Sequence, residues 1–404
     1  MGIFRQAYMN DMDEMMPYFY WLSVTGVIGI KTYTKMQSYF GSPKELYNAS
    51  MDKLNDTGIF TARQKKAISE SRNRRDVLKE YERMQECGIK MFVRESQDFP
   101  ERLKEIPGSP IALFVYGNLP AQGIPLVSVI GARECSFYGM QVASRLGELF
   151  AEHGICVVSG MARGIDSISQ DACLKAGGTS IAVLGGGVDV IYPKESEHLY
   201  NVLKEKGAII SEYPPGTDPI PAYFASRNRI ISGISDALCV IEAREKSGTM
   251  ITVDAALEQG REVYALPGRI TDSTSKGCNE LIKQGAGVIS DPEKLVMEIK
   301  RDYSLFTDAA PGDNYTFNIE ETRTDYETDI LIEDMDESDK KVIISVGEDS
   351  FTAEELSQKV SVHPGEFLIK CMNLSVKGLL INMGAGRFRL SDKGFSVRSK
   401  LLKI

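Results

Sequence analysis

No pair or cluster in this chain of 404 residues suggests a metal site or a disulfide scaffold. The seven cysteines stand singly at Cys87, Cys135, Cys156, Cys173, Cys239, Cys278 and Cys371. No close pair suggests zinc, and the odd count argues against a disulfide framework. The three histidines, His153, His198 and His363, are equally scattered. No nucleophile–base pair is visible, so no catalytic residue, metal ligand or cofactor is expected. No apolar run approaches the roughly 20 residues that a membrane helix requires. The opening residues lack a hydrophobic stretch long enough for a secretory signal. The expected compartment is the cytoplasm, with no membrane partner.

The chain also lacks an excess of positive charge, its formal net charge being −9. The distribution matters more than the total. Twelve acids fall between Asp308 and Asp339, with Arg323 the only base among them, so this stretch carries −11 and the remainder +2. The acidity belongs to a linker, and a low net charge is weak evidence against a nucleic-acid partner.

The length predicts two or three domains. Residues 14 to about 100 read as helical, with a turn at Thr25–Gly29, a helix over Lys31–Phe40 and another over Lys44–Leu54. Glycines in such a turn present backbone N–H groups to a phosphate or simply make the turn. From about 105 to 300, short apolar runs alternate with helix-length segments, which predicts parallel βαβ units in an α/β, doubly wound sheet. The predicted strands are Leu126–Ile130, Ile155–Ser159, Ser180–Leu184, Ala208–Glu212, Ala237–Ile241, Glu262–Leu266 and Gly287–Ser290. Predicted helices between them include Gly139–His153, Ser196–Lys206 and Ile251–Gln259. Residues 303–337 read as an acidic linker. Residues 338–404 read as helices over Asp339–Val346, Thr352–Lys359 and Pro364–Lys377 followed by a hairpin of Gly378–Ile381 and Arg387–Leu390. That pattern describes a winged-helix domain.

Glycine and arginine recur where the predicted strands end: Gly131-Ala132-Arg133, Gly160 with Arg163-Gly164, Gly185-Gly186-Gly187, and Arg227-Asn228-Arg229. In open α/β sheets, ligands bind beyond the carboxyl ends of the strands. Glycine lets backbone approach a ligand, a helix N-terminus favours anions, and arginine adds a forked donor. Several such sites along one edge suit a polyphosphate, including a nucleic-acid backbone. Arg133 is expected to contact ligand, and Ser136 to cap the following helix. Asp166 reads as a helix N-cap or a ligand contact, and the triple glycine as an anion nest or a plain loop. Arg227 and Arg229 do not share a helix face, so one is expected at phosphate and the other at a carboxylate such as Glu212 or Glu242. Phe224 stacks on a base or packs on the sheet. Ser247-Gly248 opens another helix N-terminus.

These strings, with Tyr192-Pro193, Phe224-Ala225-Ser226-Arg227-Asn228-Arg229 and Ala265-Leu266-Pro267-Gly268, resemble the DNA-processing protein A family (DprA, also called Smf). The resemblance covers the whole α/β part in order. It implies a Rossmann-like DNA-binding domain over 105–302, a SAM-like helical domain over 1–104 and a winged-helix domain over 338–404. It also implies a non-enzymatic role. Such proteins bind single-stranded DNA during natural transformation, protect it, and load a RecA-type recombinase while displacing single-strand-binding protein. The DNA-binding residues carried over by motif are Gly131, Ala132, Arg133, Gly160, Arg163, Phe224, Arg227, Asn228, Ser247 and Gly248. Ser136, Gly164 and Arg229 are expected beside them. Ser169-Gln170 stands where the family often has Ala-His, and Ser196 where asparagine is usual. A homodimer is implied through the α/β domain, and Leu281, Ile282 and Val288 are its candidate contacts.

The competing class is a phosphoribohydrolase of the lysine-decarboxylase-like group. Its Gly-Gly-x-Gly-Thr-x-x-Glu motif meets Thr252 here where the carboxylate should stand, and threonine is a poor general acid or base near neutral pH.

Overall fold

The short apolar runs of the middle region assemble into one nine-stranded sheet. The computed structural model describes residues 2–74, 76–303, 335–346, 351–360, 364–384, 386–391, 394, 397–398 and 401. These fall into two compact units, Met1–Ala310 and Pro311–Ile404.

Six helices open the first unit: α1 (Gly2–Thr25), α2 (Ile30–Phe40), α3 (Pro43–Asn48), α4 (Met51–Asp56), α5 (Ala62–Arg74) and α6 (Val77–Glu86). The helix expected over Lys44–Leu54 is two, because Ser50 caps α4 by accepting from Lys53 N. Trp21 is fully buried among these helices, and its Nε1 donates to Ser71 Oγ at 2.8 Å. Two strands follow that the sequence reading passed over, β1 (Lys90–Val93) and β2 (Ala112–Gly117), with the short α7 (Glu101–Lys104) between them. Strand β1 therefore lies inside the stretch assigned to the helical domain. Tyr20 of α1 packs edge-to-face on Phe114 of β2, with ring centroids 6.1 Å apart, so helices and sheet share a core.

The remaining strands are β3 (Leu126–Ile130), β4 (Cys156–Ser159), β5 (Ser180–Val183), β6 (Ala208–Ser211), β7 (Ala237–Val240), β8 (Glu262–Ala265) and β9 (Gly287–Val288). All seven expected strands are present, shorter by up to two residues at their ends. The spatial order is β1-β2-β6-β5-β4-β3-β7-β8-β9. Strands β3 to β9 pair in parallel, while β2 pairs antiparallel to β6 and to β1. The connecting helices are α8 (Phe137–Glu152), α9 (Ile165–Lys175), α10 (Glu197–Lys206), α11 (Pro221–Ile234), α12 (Gly248–Glu258), α13 (Lys276–Lys283) and α14 (Pro292–Tyr303). One apolar layer joins the sheet to α8, α9 and α14, and another joins it to α11, α12 and α13. With both faces covered, every residue of β3, β4, β5, β6 and β7 is buried, which is why these strands read as unbroken apolar runs. The chain leaves β3 toward β4 on one side and later places β7 on the other. The carboxyl end of β3 is thus the point where strand order reverses, and there a crevice opens.

The described part of the second unit holds α15 (Glu337–Ser345), α16 (Ala353–Val360) and α17 (Pro364–Val376). Its three-stranded antiparallel sheet comprises β10 (Phe351–Thr352), β12 (Arg387–Leu390) and β11 (Leu380–Gly384), in that order. Strand β10 was not expected from the sequence. Val342, Ile343, Phe367, Leu374 and Phe388 form the core of this unit. Most of the acidic linker, residues 304–334, lies outside the described residues. No helix among the described residues is long and apolar enough to cross a membrane.

Candidate nucleic-acid interface

Three helices, α8, α9 and α12, start just beyond the tips of β3, β4 and β7, so their N-termini converge on one rim. A cavity of about 550 Å³ lies among these tips. The close packing of the tips explains their glycines. A Cβ on Gly131 would stand 2.7 Å from the Ile165 side chain, and one on Gly164 would stand 2.3 Å from Ala132 O. Gly164 also adopts φ +80°, a left-handed conformation open to glycine.

Glu242, buried at the tip of β7, holds the loop after β3. Ser136 N donates to its Oε2 at 2.8 Å, and Ser136 Oγ donates to its Oε1. Ser136 Oγ in turn accepts from Gly139 N at 3.1 Å, capping α8 as expected. A Cβ on Gly139 would sit 2.7 Å from the Glu242 carboxyl carbon, so this glycine makes room for the carboxylate. With the loop pinned, Arg133 stays exposed at the mouth of the cavity.

Arg227 lies beneath that mouth, only 5% exposed. Its Nη1 donates to Gly160 O at 3.1 Å and also to Val183 O, tying the tips of β4 and β5 together. Asp166 accepts from Gly160 N at 3.1 Å. The backbone N–H and C=O of Gly160 are therefore held by a buried anion and a buried cation respectively. Asp166 lies inside α9, not at its cap position, which Gly164 occupies. Burial pushes the Arg227 guanidinium down to about 10, against the pull of Asp166 and with a further push from Arg133. Burial likewise raises the Asp166 carboxyl, with Arg227 opposing. Arg227 Nε and Ser247 Oγ are both buried without a hydrogen-bond partner, and both residues line the cavity.

The expected residues Gly131, Ala132, Arg133, Arg163, Phe224, Arg227, Asn228, Ser247 and Gly248 all line this crevice. Gly160 lines an adjoining cavity of about 530 Å³, which shares Arg133, Arg163, Phe224 and Arg227. Ser136 and Gly164 support the walls without lining either cavity. Arg229 is turned to the other side of α11. There it pairs with both oxygens of Glu212 at 2.7 and 2.6 Å and lines a different cleft. The triple glycine is not an open nest. Added Cβ atoms on Gly185, Gly186 and Gly187 would meet Phe224, Thr217 O and Asp189 within 3 Å, so these glycines permit close packing. Leu281 is 3% exposed within the core and Ile282 packs against that core, so of the three candidate dimer contacts only Val288 presents a large exposed surface, at 48%. Its neighbours in strand order leave β9 at the sheet edge.

Arg244 was not expected at the site, Tyr192 was named only within a family string, and Glu242 only as a partner for an arginine. Arg244 is exposed on the crevice wall. Its position directly after the β7 tip was the available signal. In the second unit, Lys370 lies 3.6 Å from Asp336 and 3.5 Å from Asp339, and Lys377 lies 3.3 Å from Asp339. Arg387 and Arg389 are exposed on one side of β12, while Phe388 and Leu390 are buried on the other. Among the described residues no group of His, Cys, Asp and Glu could hold a metal ion.

Comparison with known proteins places this architecture. A family model described as DNA recombination-mediator protein A matches residues 90–300. DNA processing protein DprA of Streptococcus pneumoniae is 39% identical over 202 residues, covering 50% of this chain and 71% of that protein. Protein Smf of Escherichia coli is 32% identical over 297 residues, covering 73% and 76%. The X-ray structure of the S. pneumoniae protein superimposes with a TM-score of 0.61 at 32% identity, covering 70% of this chain and 97% of that one.

Proposed function

Because the chain belongs to the DNA recombination-mediator protein A family, we propose that it binds single-stranded DNA through the crevice at the tips of β3, β4 and β7. In the same reading it acts in the cytoplasm as a homodimer during natural transformation. It protects incoming DNA and loads a RecA-type recombinase in place of single-strand-binding protein.

The observation that carries this reading is the set of free cations around the crevice. Arg133, Arg163 and Arg244 are exposed and make no ion pair or side-chain hydrogen bond with any described residue. Arginine presents a planar fork of donors that matches phosphate oxygens. Exposed arginines on one rim, with three helix N-termini behind them, form a field suited to successive phosphates. Arg227 is not free in this sense. Its two carbonyl bonds, both from Nη1, make it the brace under the rim.

Binding here needs no chemistry on the substrate. Thr252 is buried in the crevice wall at the position where a phosphoribohydrolase would need its carboxylate. The test is a gel-shift titration of equal-length single- and double-stranded DNA, run beside an incubation with nucleoside monophosphates. Tighter retention of the single strand with no released base is the expected result. Equal retention of both, or release of free base, would overturn the reading.

A further inference from the structure

The arginines account for phosphates, yet a single strand also exposes its bases, and the adjoining cavity carries a feature suited to them. Tyr192 stands in its wall, 46% exposed, with its ring centroid 5.3 Å from that of Phe224 and the planes tilted by 39°. Phe224 in turn lies 6.0 Å from the Arg227 guanidinium. An arginine, a half-buried phenylalanine and an exposed tyrosine thus form a stack that rises from the core to the surface.

Two observations set Tyr192 apart from a tyrosine that merely fills space. Tyr200, nearby in sequence, is buried and its hydroxyl donates to Val188 O at 2.7 Å. The Tyr192 hydroxyl bonds no described residue, and its ring contact is Phe224. The loop that carries it is also held firmly. Gly187 N donates to Thr217 O at 2.8 Å, Gly216 N donates to Asp189 Oδ1 at 2.8 Å, and Ser196 Oγ donates to Met161 O at 3.4 Å. Phe224 is wedged against Gly185, where a Cβ would come within 2.9 Å of its ring. An aromatic face fixed in this way loses little freedom when a flat ligand settles on it.

We propose that Tyr192 is a base-stacking platform, its outer face receiving a nucleobase while Arg133 and Arg163 of the same cavity hold the neighbouring phosphates. The proposal rests on the single-stranded DNA reading above and adds a base-contacting subsite to it. Base–aromatic stacking tolerates any sequence, since every base has a π-face. This subsite therefore favours a strand with accessible bases over a duplex without selecting among the bases.

The test uses the full chain and two oligomers of equal length, oligothymidylate and an abasic strand with the same number of phosphates. The wild type is expected to prefer oligothymidylate. Tyr192→Ala should weaken oligothymidylate binding by about 5- to 100-fold and leave abasic binding within about twofold. Tyr192→Trp should restore the preference, which separates a lost stack from a damaged loop. The salt slope should match in all three proteins, because the phosphate contacts are untouched. The proposal is overturned if Tyr192→Ala keeps the wild-type preference for bases, or if it loses both oligomers equally. A wild type that binds neither oligomer would overturn the single-stranded DNA reading along with it.

Discussion

The crevice of the first unit is lined by four arginines, helix α17 of the second carries one lysine with Lys377 just past its end, and these charges are spent differently. In the crevice, Arg133, Arg163 and Arg244 stand free, while the buried Arg227 beneath them serves as a brace. Lys370 of α17 meets Asp336 and Asp339, and Lys377, just past its end, meets Asp339. Among the described residues α17 exposes Ile369 and Met372 alongside the uncharged Asn373. A helix that reads duplex DNA would need the opposite arrangement, since phosphate contacts supply most nonspecific affinity. Counting basic residues therefore misleads unless each is traced to its partner.

Four experiments sharpen or break this contrast. The largest effect is expected from Arg227→Met, which leaves Asp166 uncompensated and the carbonyls of Gly160 and Val183 without their donor. Removing one member of a buried charged set costs about 3–5 kcal/mol, read as a lowered urea midpoint. A midpoint within error of the wild type would mean that Arg227 is not the brace of the crevice. Next, Arg133→Ala should leave the fold intact and weaken single-stranded DNA binding by about 1.5–3 kcal/mol, measured by anisotropy. Unchanged affinity in a folded variant would remove Arg133 from the interface.

A chain ending at Tyr303 should keep single-stranded DNA affinity within about threefold, well under 1 kcal/mol. Loss of nearly all binding by a folded protein would move the main interface out of the first unit. The smallest effect concerns pH. Asp166 has a raised folded-state pKa, so its contribution to stability is full below the usual carboxylate range and is lost as pH rises through the raised value. Asp166→Asn does not titrate there. Urea midpoints taken from about pH 4 to 7 should thus shift against the wild type relative to the variant as pH rises. A shift in the other direction would mean that pairing with Arg227 outweighs burial.

The sheet was legible because its central strands are buried on both faces and so appear as apolar runs, three of them, β3, β4 and β5, closed by a glycine. The first two strands escaped notice. They lie beside helices, and their antiparallel pairing breaks the alternation that marks the rest. Most of the crevice was legible because strand tips are near in space whenever their strands are neighbours. That Arg227 and Arg229 turn to different sides followed from their two-residue spacing on a helix, and Glu212 was named as one of two candidate partners for whichever arginine sought a carboxylate, whereas the backbone carbonyls that Arg227 binds were not foreseen. Sequence could not reveal that Glu242 grips Ser136 across 106 residues, or that the triple glycine is filled by Phe224 and Thr217. Both depend on tertiary contacts with no local signature.

Trp21 has a practical consequence. It is the chain's one tryptophan, sealed among the N-terminal helices with its indole nitrogen bonded to Ser71, and it does not line the crevice. Its emission is thus an intrinsic optical probe of whether the first unit remains folded, and it should stay silent while a ligand occupies the crevice. Placing a second indole at Tyr192 would supply the missing channel. One sample would then report folding from one chromophore and occupancy from the other.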